Sequence, residues 1–261
     1  MPTPHVLYEQ VGAVASVTFN RPEARNAMTW EMYQALVDYC DRVAGDAGVR
    51  VLVLRGAGGK AFVAGTDIAQ FRAFESARDG TDYEQRLDAI IDRLERVPIA
   101  TIAQIDGVVT GGGCAIAAAC DLRVCTPASR FGVPIARTLG NCLSAANHAR
   151  FLDLMGPTRL KEMLYTGRLF NAGEAVAAGL VNRIAPADDL DRTVRELAAT
   201  IAANAPLTVR ATKEMIRRVQ AARRIEPVAG HDLITLCYTS ADFREGVEAF
   251  LAKRAPRWQG A

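Results

Sequence analysis

The chain has 261 residues, of which 50% are hydrophobic and 23% are charged. This length and composition exclude a disordered chain and allow one large α/β domain with a substantial core. The formal net charge is +2, from 31 basic and 29 acidic residues, which argues against a dedicated nucleic-acid-binding protein.

Two further features bear on metals, membranes and location. The six cysteines form no CxxC pairs and have no histidines at zinc spacing, so no metal site is expected. The apolar run from Val97 to Leu122 is interrupted by Gln104, Asp106 and several glycines, so no membrane span is expected. The first residues, MPTPHVLYEQ, lack the pattern of a secretory leader, and we expect a cytoplasmic protein.

The first predicted elements are two strands and a helix. Residues 6–20 predict two short strands around a turn at Gly12. A helix is predicted after Thr29, a suitable N-cap residue, because apolar residues recur at helical spacing over WEMYQALVDYCDRV. Residues 49–56, VRVLVLRG, form a continuous apolar run that is typical of a strand buried on both faces.

The alternation of strands and helices continues to about residue 190. Residues 98–107 predict a second buried strand, residues 111–121 a helix that opens with three glycines, and residues 122–126 a third strand. This alternation favours an α/β architecture. From Leu190 onward the pattern is helical, with breaks at Pro206 and Pro227, which predicts a helical appendage on the core or on a neighbouring subunit.

Two glycine-containing turns suggest a site for negative charge. Glycine allows close approach of the backbone to a ligand, and a helix N-terminus presents unpaired N–H groups, as the run Gly111–Gly113 would. The alternative for Gly113 is close packing against a sheet. A second turn, in AFVAGTDI (61–68), places Gly65 before Thr66. Two backbone donors that converge on one carbonyl oxygen would form an oxyanion hole.

Six segments occur in an order that resembles one family. They are NRPEARNAM (20–28), AFVAGTDI (61–68), GGGC after IDGVVT, CDLRV (120–124), FGVP (131–134) and ADFREGVEAFLAKRAP (241–256). With them, nearly the whole chain resembles the crotonase superfamily, the enoyl-CoA hydratase and isomerase family. The resemblance implies an α/β fold, a crotonase-like spiral of ββα units with a C-terminal helical trimerisation region.

The resemblance also implies that two regions of the chain have different functions. Residues 1–195 would form the crotonase core with the acyl-CoA site, and residues 196–261 a helical region for oligomerisation that covers the CoA pocket. The expected assembly is a homotrimer or a dimer of trimers. The expected substrate is an acyl-CoA thioester, with no cofactor beyond the coenzyme A of the substrate.

Family site residues can be carried over one by one. The oxyanion-hole donors fall on the backbone N–H groups of Thr66 and Gly112, so the side chain of Thr66 is expected to matter little. The loop that cradles adenine and pantetheine falls on four residues: Ala64, Gly65, Asp67 and Ile68. Arg25 and Lys253 are candidates for the CoA phosphates. Asp67 has the alternative of fixing its own loop by accepting backbone N–H bonds.

Both glutamates of the family's hydratases are missing. Their positions hold Ala115 and Ile135, neither of which can move a proton. Standard two-glutamate hydration is therefore not expected, and neither is an isomerase that relies on the second glutamate. The sequence predicts an enzyme of the lyase or isomerase type that stabilises a thioester enolate or oxyanion.

Other groups could supply the chemistry. Cys142 falls on the nucleophile position of an aryl-CoA dehalogenase. Ser144 and His148 lie four residues apart and could form a pair, and Arg137 could clamp an anionic acyl group. A polar segment, 72–86, could direct a side chain into the acyl pocket; its candidates are Glu75, Asp79, Asp82, Tyr83 and Glu84.

Two other functions remain open at this point. One is a nicotinamide enzyme, since Gly56, Gly58 and Ala61 follow a buried strand as a loose G-x-G-x-x-A, which would require a helix directly after the turn. The other is a catalytically degenerate CoA-binding or scaffold protein that kept the fold and lost the acids.

Overall fold

The computed structural model describes residues 3–261. Its strands are β1 (Val6–Val11), β2 (Val14–Phe19), β3 (Val51–Gly56), β4 (Ala61–Val63), β5 (Ala100–Ile105), β6 (Val108–Thr110), β7 (Leu122–Cys125), β8 (Arg130–Gly132), β9 (Phe170–Asn171) and β10 (Arg183–Ile184). Its α-helices are α1 (Trp30–Gly45), α2 (Ala77–Glu95), α3 (Gly112–Ala119), α4 (Ile135–Thr138), α5 (Ala145–Thr166), α6 (Ala172–Ala177), α7 (Leu190–Ala203), α8 (Pro206–Ala221), α9 (His231–Tyr238) and α10 (Ala241–Leu251).

The strands form two sheets that are wound together. The larger sheet has the order β1-β2-β3-β5-β7-β10 and the smaller one β4-β6-β8-β9. Each of the successive pairs β3–β4, β5–β6 and β7–β8 gives its first strand to the larger sheet and its second to the smaller one, and a helix follows. The predicted spiral of ββα units is confirmed.

The local predictions at the start of the chain are also confirmed. β1 and β2 pair antiparallel around a turn in which Gly12 has a φ of 57°. The Thr29 side chain accepts the Met32 N–H at 3.3 Å and caps α1. Every residue of VLVL in β3 is buried, as expected for a strand covered on both faces.

Helices cover the larger sheet on both sides. On one side Val194 and Ala198 of α7 pack on Val51 and Ile102 of the sheet. On the other side lies the main core, to which α9 and α10 contribute. The predicted boundary at residue 195 falls inside α7. None of the helices within residues 3–261 combines the length and apolar character needed to cross a bilayer.

The glycine turn after β3 does not open a helix. β3 ends at Gly56, and the next regular element is β4, which begins at Ala61. A dinucleotide fingerprint requires a helix whose N-terminus meets the pyrophosphate. The nicotinamide hypothesis is therefore wrong for this turn.

Candidate active site

Both predicted glycine turns line one cavity. Its volume is about 520 Å³, within the range of about 300–1,000 Å³ that is usual for small-molecule sites. The loop after β4 contributes Ala64, Gly65, Thr66, Asp67 and Ile68; α3 contributes Gly112 and Ala115; α4 contributes Ile135; and α10 contributes Phe250 and Leu251. Arg25 also lines this cavity.

The backbone around Thr66 and Gly112 leaves two N–H groups free. Gly65 (φ 101°) and Gly111 (φ 53°) occupy the region that favours glycine. On either side of Thr66, the Met28 N–H donates to the Gly65 carbonyl at 2.8 Å, and the Asp67 N–H donates to the Met28 carbonyl at 2.9 Å. Within residues 3–261 neither the Thr66 N–H nor the Gly112 N–H has a hydrogen-bond acceptor.

The absence of a side chain at Gly112 keeps this space open. A Cβ there would lie 2.6 Å from the Tyr33 hydroxyl, 3.3 Å from Thr66 Oγ1 and 3.8 Å from Thr66 N. Thr66 and Gly112, which carry the two free N–H groups, therefore lie close together in the cavity wall. Gly113 has a different role, because its Cβ would lie 2.1 Å from the Val63 carbonyl oxygen; close packing on β4 requires this glycine.

The Thr66 side chain joins two buried tyrosines. Its hydroxyl lies 2.9 Å from the Tyr33 hydroxyl and 2.8 Å from the Tyr83 hydroxyl. Burial raises the pKa of both tyrosines well above the usual value, so both stay protonated. The expectation that the Thr66 side chain matters little does not take this hydroxyl chain into account, because it depends on residues of α1 and α2 that are distant in sequence.

Replacement of Thr66 by valine should destabilise the fold. Valine has nearly the shape of threonine but leaves the Tyr33 and Tyr83 hydroxyls without their shared partner, and each unpaired buried hydroxyl costs about 1–3 kcal/mol. We expect the free energy of unfolding in urea to fall by about 2 kcal/mol or more. Thr66→Ser, which keeps the hydroxyl, should lose less; equal losses for both variants would contradict the role of the hydroxyl chain.

Asp67 fixes its own loop. Its Oδ1 accepts the Ala69 N–H at 3.1 Å, and its Oδ2 lies 2.8 Å from Arg21 Nη1 in an ion pair. The bond from Ala69 is the kind expected if Asp67 fixes its own loop by accepting backbone N–H groups, the alternative considered for this residue. They hold Asp67 at the cavity wall with both oxygens engaged.

Cys142 does not line the cavity, although its neighbours Asn141 and Leu143 do. Its thiol donates to the Leu143 carbonyl at 3.3 Å. The neighbouring thiol of Cys237 on α9 and burial raise the pKa of Cys142, so the reactive thiolate is disfavoured. The structure does not support Cys142 as the nucleophile.

Ser144 has a structural position at the start of α5. Its Oγ accepts the Asn147 N–H at 3.2 Å and donates to Asp88 Oδ1 at 2.7 Å. His148 Nδ1 lies 3.0 Å from the Ser144 backbone carbonyl, not from the hydroxyl. The structure therefore forms no Ser144–His148 nucleophile pair, because the N-cap geometry turns the hydroxyl toward α2.

Two predicted basic residues also lie outside the cavity lining. Arg137 is exposed on α4, whereas Pro134, Ile135 and Thr138 of the same segment line the cavity. Lys253 is exposed just after α10 and lies two residues beyond Leu251. Arg25, the third predicted basic residue, does line the cavity.

Of the acids in segment 72–86, Glu84 reaches the cavity and is 2% exposed. The Tyr238 hydroxyl donates to its Oε1 at 2.6 Å, and the Ser144 N–H donates to its Oε2 at 3.1 Å. Burial is the main cause that raises its pKa to about 8. Asp79 instead caps α2, and Asp82 pairs with Arg78 at the surface.

A sequence signal for Glu84 exists on α2. Leu87, Ile91 and Leu94 are buried on this helix, and Glu84 continues their stripe three residues before Leu87. A carboxylate inside an apolar stripe is expected to face the interior. This pattern distinguishes Glu84 from Glu75 and Asp82, although it does not by itself identify a cavity.

The chain matches known proteins over nearly its full length. Residues 9–261 match the family model described as enoyl-CoA hydratase/isomerase. The short-chain enoyl-CoA hydratase of Clostridium acetobutylicum is 32% identical over 255 residues, which cover 96% of this chain and 95% of that protein. The crotonyl-CoA hydratase of Syntrophomonas wolfei is 33% identical over 257 residues, with 96% of each chain covered.

Solved structures give the same result. An enoyl-CoA hydratase/carnithine racemase from Magnetospirillum magneticum superposes with a TM-score of 0.81 at 32% identity, covering 100% of this chain and 97% of that one. A methylmalonyl-CoA decarboxylase in complex with 2-nitronate-propionyl-CoA superposes with a TM-score of 0.92 at 25% identity, with both chains fully covered. The spiral fold, the sequence matches and the structural matches agree: this chain belongs to the enoyl-CoA hydratase/isomerase family.

Proposed function

We propose that the protein is an acyl-CoA enzyme in which the N–H groups of Thr66 and Gly112 hold the thioester oxygen of an enolate or oxyanion. The observation that carries the proposal is that both N–H groups have no acceptor within residues 3–261 and belong to residues that lie close together in the cavity wall. Preorganised backbone donors bind a developing oxyanion more tightly than the ground-state carbonyl, and this difference lowers the barrier.

The cavity wall argues against standard hydration. Ala115 and Ile135 line the cavity at the positions where the family's hydratases have glutamates, so the two-carboxylate activation of water has no counterpart at those positions. Reactions that pass through an enolate without adding water fit this wall better. The structural neighbour methylmalonyl-CoA decarboxylase was solved with a nitronate of propionyl-CoA, a planar anion that resembles an enolate.

The same cavity supports the proposed substrate class. We assign the loop Ala64–Ile68 to the adenine and pantetheine of coenzyme A, and Arg25 to its phosphates. Lys253, next to the α10 residues that line the cavity, is assigned to the phosphates at its mouth. No cofactor beyond the coenzyme A of the substrate is required by this proposal.

The C-terminal helical region is proposed as the oligomerisation surface. No residue of α8 is buried, and six large apolar residues of α8 and α9 are each more than half exposed: Leu207, Met215, Ile216, Val219, Leu233 and Leu236. Exposed apolar surface of this kind can mark contacts between proteins. A homotrimer, or a dimer of trimers, would cover these residues.

Mass spectrometry in heavy water tests the proposed function. Purified protein is incubated with saturated, 2-enoyl, 3-enoyl, aryl and 2-carboxyacyl CoA esters, and the product masses are compared with those from protein-free controls. Deuterium incorporation at the α-carbon, or loss of a carboxyl group, is the expected result. Binding of the esters without any change of mass would favour the degenerate CoA-binding alternative.

A further inference from the structure

We propose that Glu84 carries the proton to and from the α-carbon of the thioester substrate, in place of the two missing glutamates. The inference rests on the proposed function, since it assumes an acyl-CoA held by the Thr66 and Gly112 N–H groups. It adds a catalytic residue on α2, an element that does not contribute the backbone donors.

Glu84 lines the same cavity as Thr66 and Gly112. The space at Gly112 is bordered by Thr66, whose hydroxyl bonds to the Tyr83 hydroxyl at 2.8 Å. Glu84 follows Tyr83 on α2 and lines the same cavity, as does Leu87 one turn later. An acyl group whose oxygen lies between the two N–H groups would share this cavity with Glu84.

The other titratable groups of the cavity have different tasks. Of the described residues, two carboxylates line the cavity, Asp67 and Glu84. Asp67 is engaged by Arg21 and by the Ala69 N–H. Burial holds the pKa of Tyr83 well above its usual range, so its phenolate is not accessible near neutral pH. Glu84 accepts hydrogen bonds from the Tyr238 hydroxyl and the Ser144 N–H, but unlike Asp67 it forms no ion pair among the described residues, and we assign proton transfer to it.

The surroundings of Glu84 adjust its proton affinity. Burial raises its pKa to about 8, and the nearby carboxylate of Asp88, one turn later on α2, acts in the same direction. The hydrogen bonds from Tyr238 on α9 and from the Ser144 N–H oppose this rise. Tyr33 of α1 and Cys142 also lie within electrostatic reach, and both stay protonated. A carboxyl group with a pKa near the working pH is suited to both accepting and donating a proton.

The proton-transfer step balances without a further reactant. The ionised Glu84 takes a proton from the α-carbon, a C–H bond breaks and an O–H bond forms on the carboxyl group. The electron pair moves to the thioester oxygen, which the Thr66 and Gly112 N–H groups hold. The protonated Glu84 then returns the proton to the α-carbon or, for an unsaturated acyl chain, to the γ-carbon, and the carbonyl reforms.

The test measures α-proton exchange of butyryl-CoA and 3-butenoyl-CoA in heavy water for the wild type, Glu84→Gln and Asp82→Asn. Asp82 is an exposed carboxylate on the same helix and serves as the matched control. We expect exchange by Glu84→Gln to fall by about 10²-fold or more, with the dissociation constants of both esters within about threefold of the wild type. Asp82→Asn should exchange like the wild type.

A pH profile separates catalysis from a structural role. Exchange by the wild type should rise about tenfold per pH unit below the pKa of Glu84 and become level above it. Tyr238→Phe removes a hydrogen bond that favours the ionised form, so the midpoint should move to higher pH. A purely structural Glu84 would leave this midpoint unchanged, which would overturn the proposal.

The remaining outcomes are also decisive. If the wild type exchanges and Glu84→Gln exchanges equally fast, Glu84 is not the proton carrier and the oxyanion proposal stands. If the wild type binds both esters and exchanges neither, the Glu84 proposal fails. If exchange is absent and the ester panel also gives no change of mass, the proposed function fails as well.

Discussion

Replacement of Gly112 by alanine should abolish turnover and also lower the stability of the fold, because the added methyl group meets the buried Tyr33 hydroxyl. The added methyl group would lie 2.6 Å from the Tyr33 hydroxyl and 3.8 Å from Thr66 N, in the space assigned to the thioester oxygen. Loss of a single oxyanion-hole donor typically lowers kcat by about 10²–10³-fold, and this substitution obstructs both donors. The measurement is the rate of α-proton exchange in heavy water, together with the thermal unfolding midpoint.

A glycine near the start of another helix provides the matched control. At Gly173, in α6, an added Cβ would meet only Asn171 Oδ1, at 3.4 Å. Gly173→Ala should therefore exchange at the wild-type rate. Full activity of Gly112→Ala would contradict the assignment of the oxyanion site, whereas loss of activity in both variants would show that the assay responds to helix termini in general.

The contribution of Glu84 to the stability of the protein should fall as the pH rises from about 4 to 9, and Glu84→Gln should remove this contribution. The folded state raises the pKa of Glu84 from 4.5 to about 8, so the folded protein keeps a proton that the unfolded chain releases. The resulting stabilisation is fully present below pH 4.5 and is lost as the pH rises through about 8. At 1.36 kcal/mol per pKa unit, the shift corresponds to about 5 kcal/mol.

Urea unfolding at several pH values measures this effect. The quantity of interest is the free energy of unfolding of the wild type minus that of Glu84→Gln, because the difference cancels most other titrations, although Asp88 also interacts with Glu84. We expect the difference to decrease steadily between pH 4 and 9. A difference that is independent of pH would mean that Glu84 titrates normally and is not held in an apolar environment.

The two glycine turns at the cavity could be predicted from the sequence because their physical requirements are local. Gly65 and Gly111 are needed for positive φ angles directly before the two donors, and both lie in short segments that carry the family resemblance. Helix caps and buried strands could be predicted for the same reason, because they depend on residues that are close in sequence. The family resemblance of these segments predicted Thr66 and Gly112 as site residues, and both line the cavity.

The rest of the site depends on contacts between distant residues. The Tyr238 hydroxyl that bonds Glu84 lies 154 positions away along the chain, and the bond from Ser144 spans 60 positions. The orientation of Ser144 follows from its bond to Asp88 of α2, which local patterns do not encode. The sequence could therefore supply candidates in segment 72–86 and at 142–148, but only the fold selects among them.

Isotope-edited infrared spectroscopy of bound butyryl-CoA tests the central claim most directly. The ester carries ¹³C at its carbonyl carbon, and its C=O stretching band is compared in water, bound to the wild type and bound to Gly112→Ala. If the Thr66 and Gly112 N–H groups both donate to the thioester oxygen, the band should move to lower wavenumber on binding to the wild type, and the variant should lose this shift. A bound carbonyl in the wild type whose band stays at its position in water would contradict the oxyanion hole.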